Sequence, residues 1–184
     1  MKVISNIRSP EVASILNANG VVILRTDTLY GILARADSRS AVERVYALKG
    51  RNETKSPIVL ISDVSQLFDA VSGDITSLTN EVWPGKVSVI IPSENAPEWI
   101  RRNNQSVAYR LPDDSALQDL INATGSLIAP SANPEGELPA MTIEQAVEYF
   151  GAAVDLYVDG DEVADSTPSQ LIRVRSDGEV ERFR

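Results

Sequence analysis

A chain of 184 residues, 43% hydrophobic, suits one folded unit with a sizeable core, while 26 Asp+Glu against 17 Lys+Arg leave a net charge of −9 that argues against general nucleic-acid binding. No apolar run reaches the ~20 residues of a membrane span, and the start, MKVISNIRSPEV, lacks the apolar core of a signal peptide, so a cytoplasmic protein with no membrane contact is expected. Cys and His are both absent, which excludes thiol nucleophiles, disulfides, imidazole bases, Ser-His-Asp hydrolysis and the usual zinc sites.

The first helix is predicted over 9–20, with Ser9 as N-cap, Pro10 at the first helical position, Val12, Ile15 and Leu16 on one face, and Gly20 as the stop. VVILR, 21–25, is a buried strand by its β-branched run. SRSAVERVYALKG, 38–50, is a helix with Ala41, Val42, Val45 and Leu48 at helical spacing and Gly50 just past its end. PIVLI, 57–61, is the next buried strand. Helical runs are predicted near 63–70, 74–82, 113–122 and 142–150, the last with a Thr142…Gln145 capping box. Further strands are VSVII, VAYR, SLIAP, LYV, QLIRV and EVERF. The fold class expected is α/β: one domain over 1–184 with a twisted mixed sheet and flanking helices. The continuously apolar strands suit a sheet covered on both faces, with functional residues at strand ends and loops.

One junction stands out. In ALKGRNETKSP, 47–57, Lys49, Arg51 and Lys55 fall within seven positions of an acidic chain. Neither a Walker A loop nor a G-x-G-x-x-G loop occurs, so a nucleotide bound here would be held mainly by side chains. Lys supplies point charge and Arg a planar fork for phosphate or carboxylate oxygens. A solvated surface loop is the alternative. A metal, if used, would be a hard cation, Mg²⁺ arriving with phosphates.

Six segments in order carry a resemblance: RTDTLYGILARA, ALKGRNETKSPIVLI, WPGKVSVIIP, VAYRLPD, APSANPEGE and TPSQLIRV. They resemble the YrdC-like family of threonylcarbamoyl-AMP synthases, whose patterns are roughly P-T-[DE]-T-x-Y-G-L, K-x-R, W-P-G-x-x-T, V-x-x-R-x-P, S-A-N-x-S-G and P-S-T-[VI]-x-D. The match covers nearly the whole chain. It implies a YrdC-like domain around an open, concave, positive pocket, without the extra C-terminal domain of longer members. The implied reaction joins L-threonine, bicarbonate and ATP (with Mg²⁺) into L-threonylcarbamoyl-adenylate and pyrophosphate. The product then feeds N6-threonylcarbamoyl modification of adenosine 37 in tRNA, alongside other proteins of that modification, with tRNA contact weak or indirect. A nucleotide- or RNA-binding module of the same family without synthase activity is the alternative.

The resemblance assigns ATP binding to Lys49, Arg51, Ser106, Ser131, Asn133 and Arg184, with charge stabilisation by Lys49 and Arg51. It assigns threonine binding to Thr26, Tyr30, Lys55, Arg110 and Ser169, and Asp27 matches the acidic position of the first motif. Several have a plainer reading. Lys49 and Arg51 complement a helix dipole, and Lys55 belongs to a solvated loop. Tyr30 is half-buried core, Ser106 merely opens a strand, Ser131 and Asn133 form a turn before Pro134, and Arg184 is a frayed end. Trp83-Pro84-Gly85 reads as structural and Lys86 as exposed. The chain departs from the patterns at Arg25, Glu135, Gln170 and Arg173, where the family has Pro, often a small polar residue, Thr and Asp.

Overall fold

Residues 2–71, 73–165, 167–175 and 179–183 are described in a computed structural model. In chain order the elements are β1 (Val3–Ile4), α1 (Pro10–Asn17), β2 (Val22–Arg25), β3 (Tyr30–Arg35), α2 (Arg39–Lys49), β4 (Ile58–Leu60), α3 (Asp74–Val82), β5 (Val87–Pro92), α4 (Glu98–Arg101), β6 (Ser106–Arg110), α5 (Ser115–Thr124), β7 (Leu127–Ile128), α6 (Ile143–Phe150), β8 (Leu156–Val158), β9 (Gln170–Val174) and β10 (Val180–Arg182). Among the described residues the strands form one mixed sheet in the order β1-β8-β2-β3-β7-β4-β6-β5-β9-β10.

Alternate residues of the central strands feed two cores. Ile23, Ile32, Val59 and Tyr109 join the larger cluster, which also takes Val42, Val45 and Tyr46 from α2 and Ile143, Ala146 and Phe150 from α6. Val22, Leu24, Leu33 and Leu60 point the other way, onto Val12 and Leu16 of α1 and Leu117, Leu120 and Ile121 of α5. The strands between are therefore buried on both sides, which is why they read as unbroken apolar runs. The second core stops at β4: no residue of β5, β6 or β9 belongs to it. Arg110 pairs with Leu60 and Ala108 with Ile58 across the β4–β6 ladder, so both share the face that Leu60 presents to α5. Past β4 the described residues place no helical core on that face, and the sheet is left open as the floor of a cavity.

Helix ends follow local chemistry. Ser38 Oγ accepts from Ala41 N, and Gly50 closes α2 at φ 59°, in the left-handed region glycine enters without a Cβ penalty. Thr142 Oγ1 accepts from Gln145 N, while Gln145 Oε1 reaches back to Met141 N at 2.8 Å, one residue before the expected partner. At α1, Ser9 is the N-cap but its hydroxyl makes no capping bond. The helix turns off at Ala18 and Asn19 (φ 62°), ahead of Gly20. Gly20 serves instead through close approach: a Cβ there would lie 2.5 Å from Ile15 Cγ2.

Three sequence expectations change. The run 63–70 holds only a 3-10 turn at Val64–Gln66, because Leu67 and Phe68 turn into the core and Asp69 accepts from Ser93, Glu94 and Asn95. Tyr30–Arg35, read only as a motif, is a central strand buried over its first five residues. β1 and the single turn α4 are too short to leave a periodic signal. Trp83 is buried with its indole N–H on Val87 O at 2.8 Å, and Lys86 is exposed, as expected.

Candidate functional site

A cavity of about 610 Å³ lies on the uncovered sheet face. Seven of the residues assigned from sequence line it: Thr26, Tyr30, Arg51, Lys55, Arg110, Ser131 and Ser169. They come from the β2–β3 turn, the α2–β4 loop, the end of β6, the segment after β7 and the start of β9, brought together by strand order alone. Among the described residues no carboxylate lines the cavity; the polar lining residues are hydroxyls, Arg and Lys.

At the floor, Arg110 Nη2 lies 2.9 Å from Asp27 Oδ1, and both side chains are only 5% exposed. Burial pushes the Asp27 carboxyl up, and the Arg110 charge opposes it. Asp27 thus fixes a buried guanidinium at the cavity floor, a role the sequence matched to a motif position without explaining. Thr26 builds the turn that carries Asp27: its Oγ1 donates to Leu29 O at 2.8 Å and accepts from Thr28 N at 3.3 Å. Ser169 is buried, with its hydroxyl 3.0 Å from that of Ser88.

Tyr30 lines the cavity, yet its hydroxyl is committed elsewhere. It donates toward Asp161 O at 2.9 Å and accepts from Gly160 N at 2.9 Å. The geometry thus gives Tyr30 the work of pinning the 159–161 loop, the core-like reading, while the residue also lines the cavity. Burial raises this phenol's pKa, so it stays protonated.

The three cations divide the work. Lys49, 3% exposed, is not a lining residue: its ammonium donates to the carbonyls of Ser131 and Asn133. With Glu135 N donating to Lys49 O at 2.7 Å, it stitches the 131–135 loop to the end of α2. Burial, then the neighbouring Arg51 charge, lowers its pKa to about 8. Arg51 lines the cavity, donates to Ser56 O at 3.2 Å, and keeps a buried Nε without a hydrogen-bond partner. Lys55 is ion-paired with Glu135 at the cavity rim. Beneath them lies an element that sequence reasoning missed. Tyr46 donates its hydroxyl to Lys55 O at 2.6 Å, and the guanidiniums of Arg102 and Arg51 lie 3.8 Å and 5.6 Å from its ring centre. Asn104 Nδ2 adds bonds to Thr54 O and Ser56 Oγ. No motif or spacing signals these contacts, because α4 and its exit loop meet α2 only in the fold.

Ser131 Oγ donates to Asn133 Oδ1 at 2.6 Å, and Asn133 Nδ2 donates to Pro134 O and Glu137 O. Asn133 therefore shapes its loop and does not line the cavity. Ser106 opens β6 on the same face as Ala108 and Arg110 by strand alternation, outside the cavity lining. Arg184 lies outside the described residues. Among the departures, Arg25 donates to Gly160 O at 2.8 Å and Arg173 pairs with Glu181 at 2.7 Å. Neither they nor Gln170 line the cavity.

Similarity to known proteins points to one family. The Sua5/YciO/YrdC family model, described as telomere recombination, matches residues 14–184. A threonylcarbamoyl-AMP synthase of Marinobacter nauticus is 34% identical over 163 residues, 85% of this chain and 86% of that protein. One from Pseudomonas aeruginosa is 33% identical over 184 residues, 97% of this chain and 98% of that protein. The crystal structure of P. abyssi Sua5 complexed with L-threonine superposes with a TM-score of 0.89 at 25% identity, over the whole of this chain but 57% of that one. Ordered motifs, a mixed sheet with one open face and a family match over most of the length converge: this chain belongs to the Sua5/YciO/YrdC family.

Proposed function

We propose that this chain makes L-threonylcarbamoyl-adenylate from L-threonine, bicarbonate and ATP, releasing pyrophosphate, for N6-threonylcarbamoylation of adenosine 37 in tRNA. The observation that carries the reading is the cavity itself, with the cations Arg51 and Lys55 in its lining, a buried, carboxylate-braced Arg110 on the floor and, among the described residues, no lining carboxylate. The synthase relatives, and the threonine bound by P. abyssi Sua5, support it.

The chemistry needs no protein nucleophile. The threonine amine and bicarbonate form a carbamate with loss of water. A carbamate oxygen attacks the α-phosphorus of ATP, the bond to the bridging oxygen breaks, and pyrophosphate leaves with the electron pair. Carbamate, carboxylate and triphosphate repel one another, about 4 kcal/mol for a pair of like charges ~4 Å apart at an effective dielectric of ~20. In this proposal Arg110 takes the threonine carboxylate, and Arg51 and Lys55 take the phosphates. The resemblance gives Lys55 to threonine; because it lines the same cavity as Arg51, the proposal places it with the phosphates. Lys49 holds the 131–135 loop against them. Catalysis is then positioning plus stabilisation of charge on the departing pyrophosphate. Mg²⁺ would enter with ATP as part of the substrate, as a hard cation carried by phosphates.

Purified protein is expected to release pyrophosphate from ATP in bicarbonate buffer only when threonine is added, with serine poor and valine poorer. A missing methyl costs only ~1–3 kcal/mol, whereas an unpaired hydroxyl partner costs more. Equal turnover of all three amino acids would overturn a threonine site. Tight duplex-RNA binding without any ATP-induced thermal shift would favour the binding-module reading, against which the net charge of −9 already counts. Among the described residues no helix is long and apolar enough to cross a membrane. We place the product's consumers among other proteins of tRNA threonylcarbamoylation.

Lys49 gives this reading a pH signature. With its pKa lowered to about 8, the ammonium becomes an amine as pH rises through that value. The charge-assisted tie to the 131–135 loop then weakens by about 1 kcal/mol, and ATP affinity is expected to fall about fivefold between pH 7 and 9. Folding stability should move the other way. Between about 8 and the ordinary lysine value of 10.5 the unfolded chain binds more protons than the folded one, so this residue's contribution rises with pH. Calorimetric ATP titrations and urea melts across that range check both trends, and Lys49→Arg should abolish the inflection in ATP affinity.

A further inference from the structure

The cation cluster carries its own anion. Glu135 lies on the loop that follows Ser131, its backbone N–H is fixed on Lys49 O at 2.7 Å, and its carboxylate accepts from Lys55 Nζ. Lys55 lines the cavity and Glu135 does not, so the carboxylate meets the cation from the rim. The Lys55 hydrogen bond, followed by the charges of Lys55, Arg51 and Lys49, outweighs the slight desolvation of Glu135 and holds its carboxyl below the usual range. It is therefore ionised throughout the neutral range. Both partners are partly exposed, 55% for Lys55 and 33% for Glu135, so the pair opens and re-forms at little cost.

We propose that Glu135 is a built-in counter-anion of the phosphate-binding cations, competing with pyrophosphate for Lys55 and Arg51 and so setting how weakly that product is held. The inference rests on reading the cavity as the synthase site. Three cations within seven positions repel one another when the site is empty and attract any ambient polyanion. A tethered carboxylate neutralises part of that charge and must be displaced by whatever binds. ATP brings nucleoside contacts as well as phosphates and offsets the competition. Pyrophosphate has only its charges, so the same carboxylate removes a larger share of its binding.

Glu135→Gln tests this because it keeps the length of the side chain, an acceptor for Lys55 and the backbone bond to Lys49, and removes only the charge. Pyrophosphate is titrated calorimetrically into wild-type and variant protein in phosphate-free buffer at fixed ionic strength, without threonine, so no turnover is involved. ATP is titrated in parallel. The expected result is pyrophosphate binding tighter by about 5- to 20-fold in Glu135→Gln, from one lost repulsion and one released cation. The gain for ATP should be smaller. In a Lys55→Met background, the effect of Glu135→Gln on pyrophosphate should shrink, because the cation the carboxylate withholds is gone. Equal pyrophosphate affinity in wild type and Glu135→Gln, with ATP bound by both, overturns the counter-anion while leaving the synthase reading intact. Failure of both proteins to bind either ligand overturns the synthase reading, and the counter-anion with it.

Discussion

Arg110→Met is expected to lose about 3–5 kcal/mol of folding stability and all threonine-dependent turnover. The physical cause is the carboxylate left behind. Asp27 has a side chain only 5% exposed and a partner guanidinium 2.9 Å away. Removing one member of such a pair strands the other in a poorly solvated place, which costs more than the intact pair contributes. For a chain of this size that is roughly 6–20 °C in melting temperature. The deficit should depend on pH. Burial already pushes the Asp27 carboxyl up, and without Arg110 it titrates higher still. A raised folded-state pKa favours the folded chain at low pH and loses that benefit as pH rises, so the deficit grows from acid to neutral pH. Adding Asp27→Asn to Arg110→Met removes the stranded charge and should recover most of the stability. It should not recover turnover, because nothing then meets the substrate carboxylate at the floor. Thermal melts and pyrophosphate release on the single and double variants decide it. A double variant that regains threonine-dependent activity would remove Arg110 from the site, and a single variant that melts like wild type would mean the pair contributes little.

Arg51→Ala should act almost entirely on catalysis. Arg51 lines the cavity and leaves a buried Nε without a protein partner. A charge-assisted contact to phosphate is worth roughly 1.5–3 kcal/mol. If that contact strengthens as pyrophosphate departs, the loss appears in kcat as well as KM, about 10- to 150-fold. Arg51→Lys should rescue only part, because an ammonium does not reproduce the planar fork. Stability should drop by about 1 kcal/mol, since the side chain donates a 3.2 Å bond to Ser56 O and lies 5.6 Å from the Tyr46 ring. Steady-state pyrophosphate release with melting curves alongside separates the outcomes. Wild-type kinetics would make the cluster a solvated loop, and a large fall in melting temperature would make Arg51 structural.

The sequence by itself determined what kind of site this protein can have. Without Cys or His, with Lys49, Arg51 and Lys55 gathered at a helix–strand junction and no glycine-rich phosphate loop, a nucleotide bound there would be held mainly by side chains, with a solvated loop as the alternative. It also set most of the elements, because helical and strand periodicity is a local property: α2 runs to Lys49 with Gly50 behind it, and β5 and β6 lie close to where their apolar runs predict. The tertiary structure decided which of those residues face one another. Tyr30 and Lys49, equal to the rest as motif letters, turn their polar atoms to the 159–161 and 131–135 loops. Asp27, Tyr46, Arg102 and Glu135 gained their roles from partners that lie 83, 9, 59 and 80 positions away along the chain: Arg110, Lys55, Glu43 and Lys55. The reason is physical. Periodicity reports which face of an element is buried, whereas an ion pair or a loop tie depends on the order in which strands join the sheet. That order, with β4 beside β6 and the second core ending at β4, is a property of the whole chain packing at once.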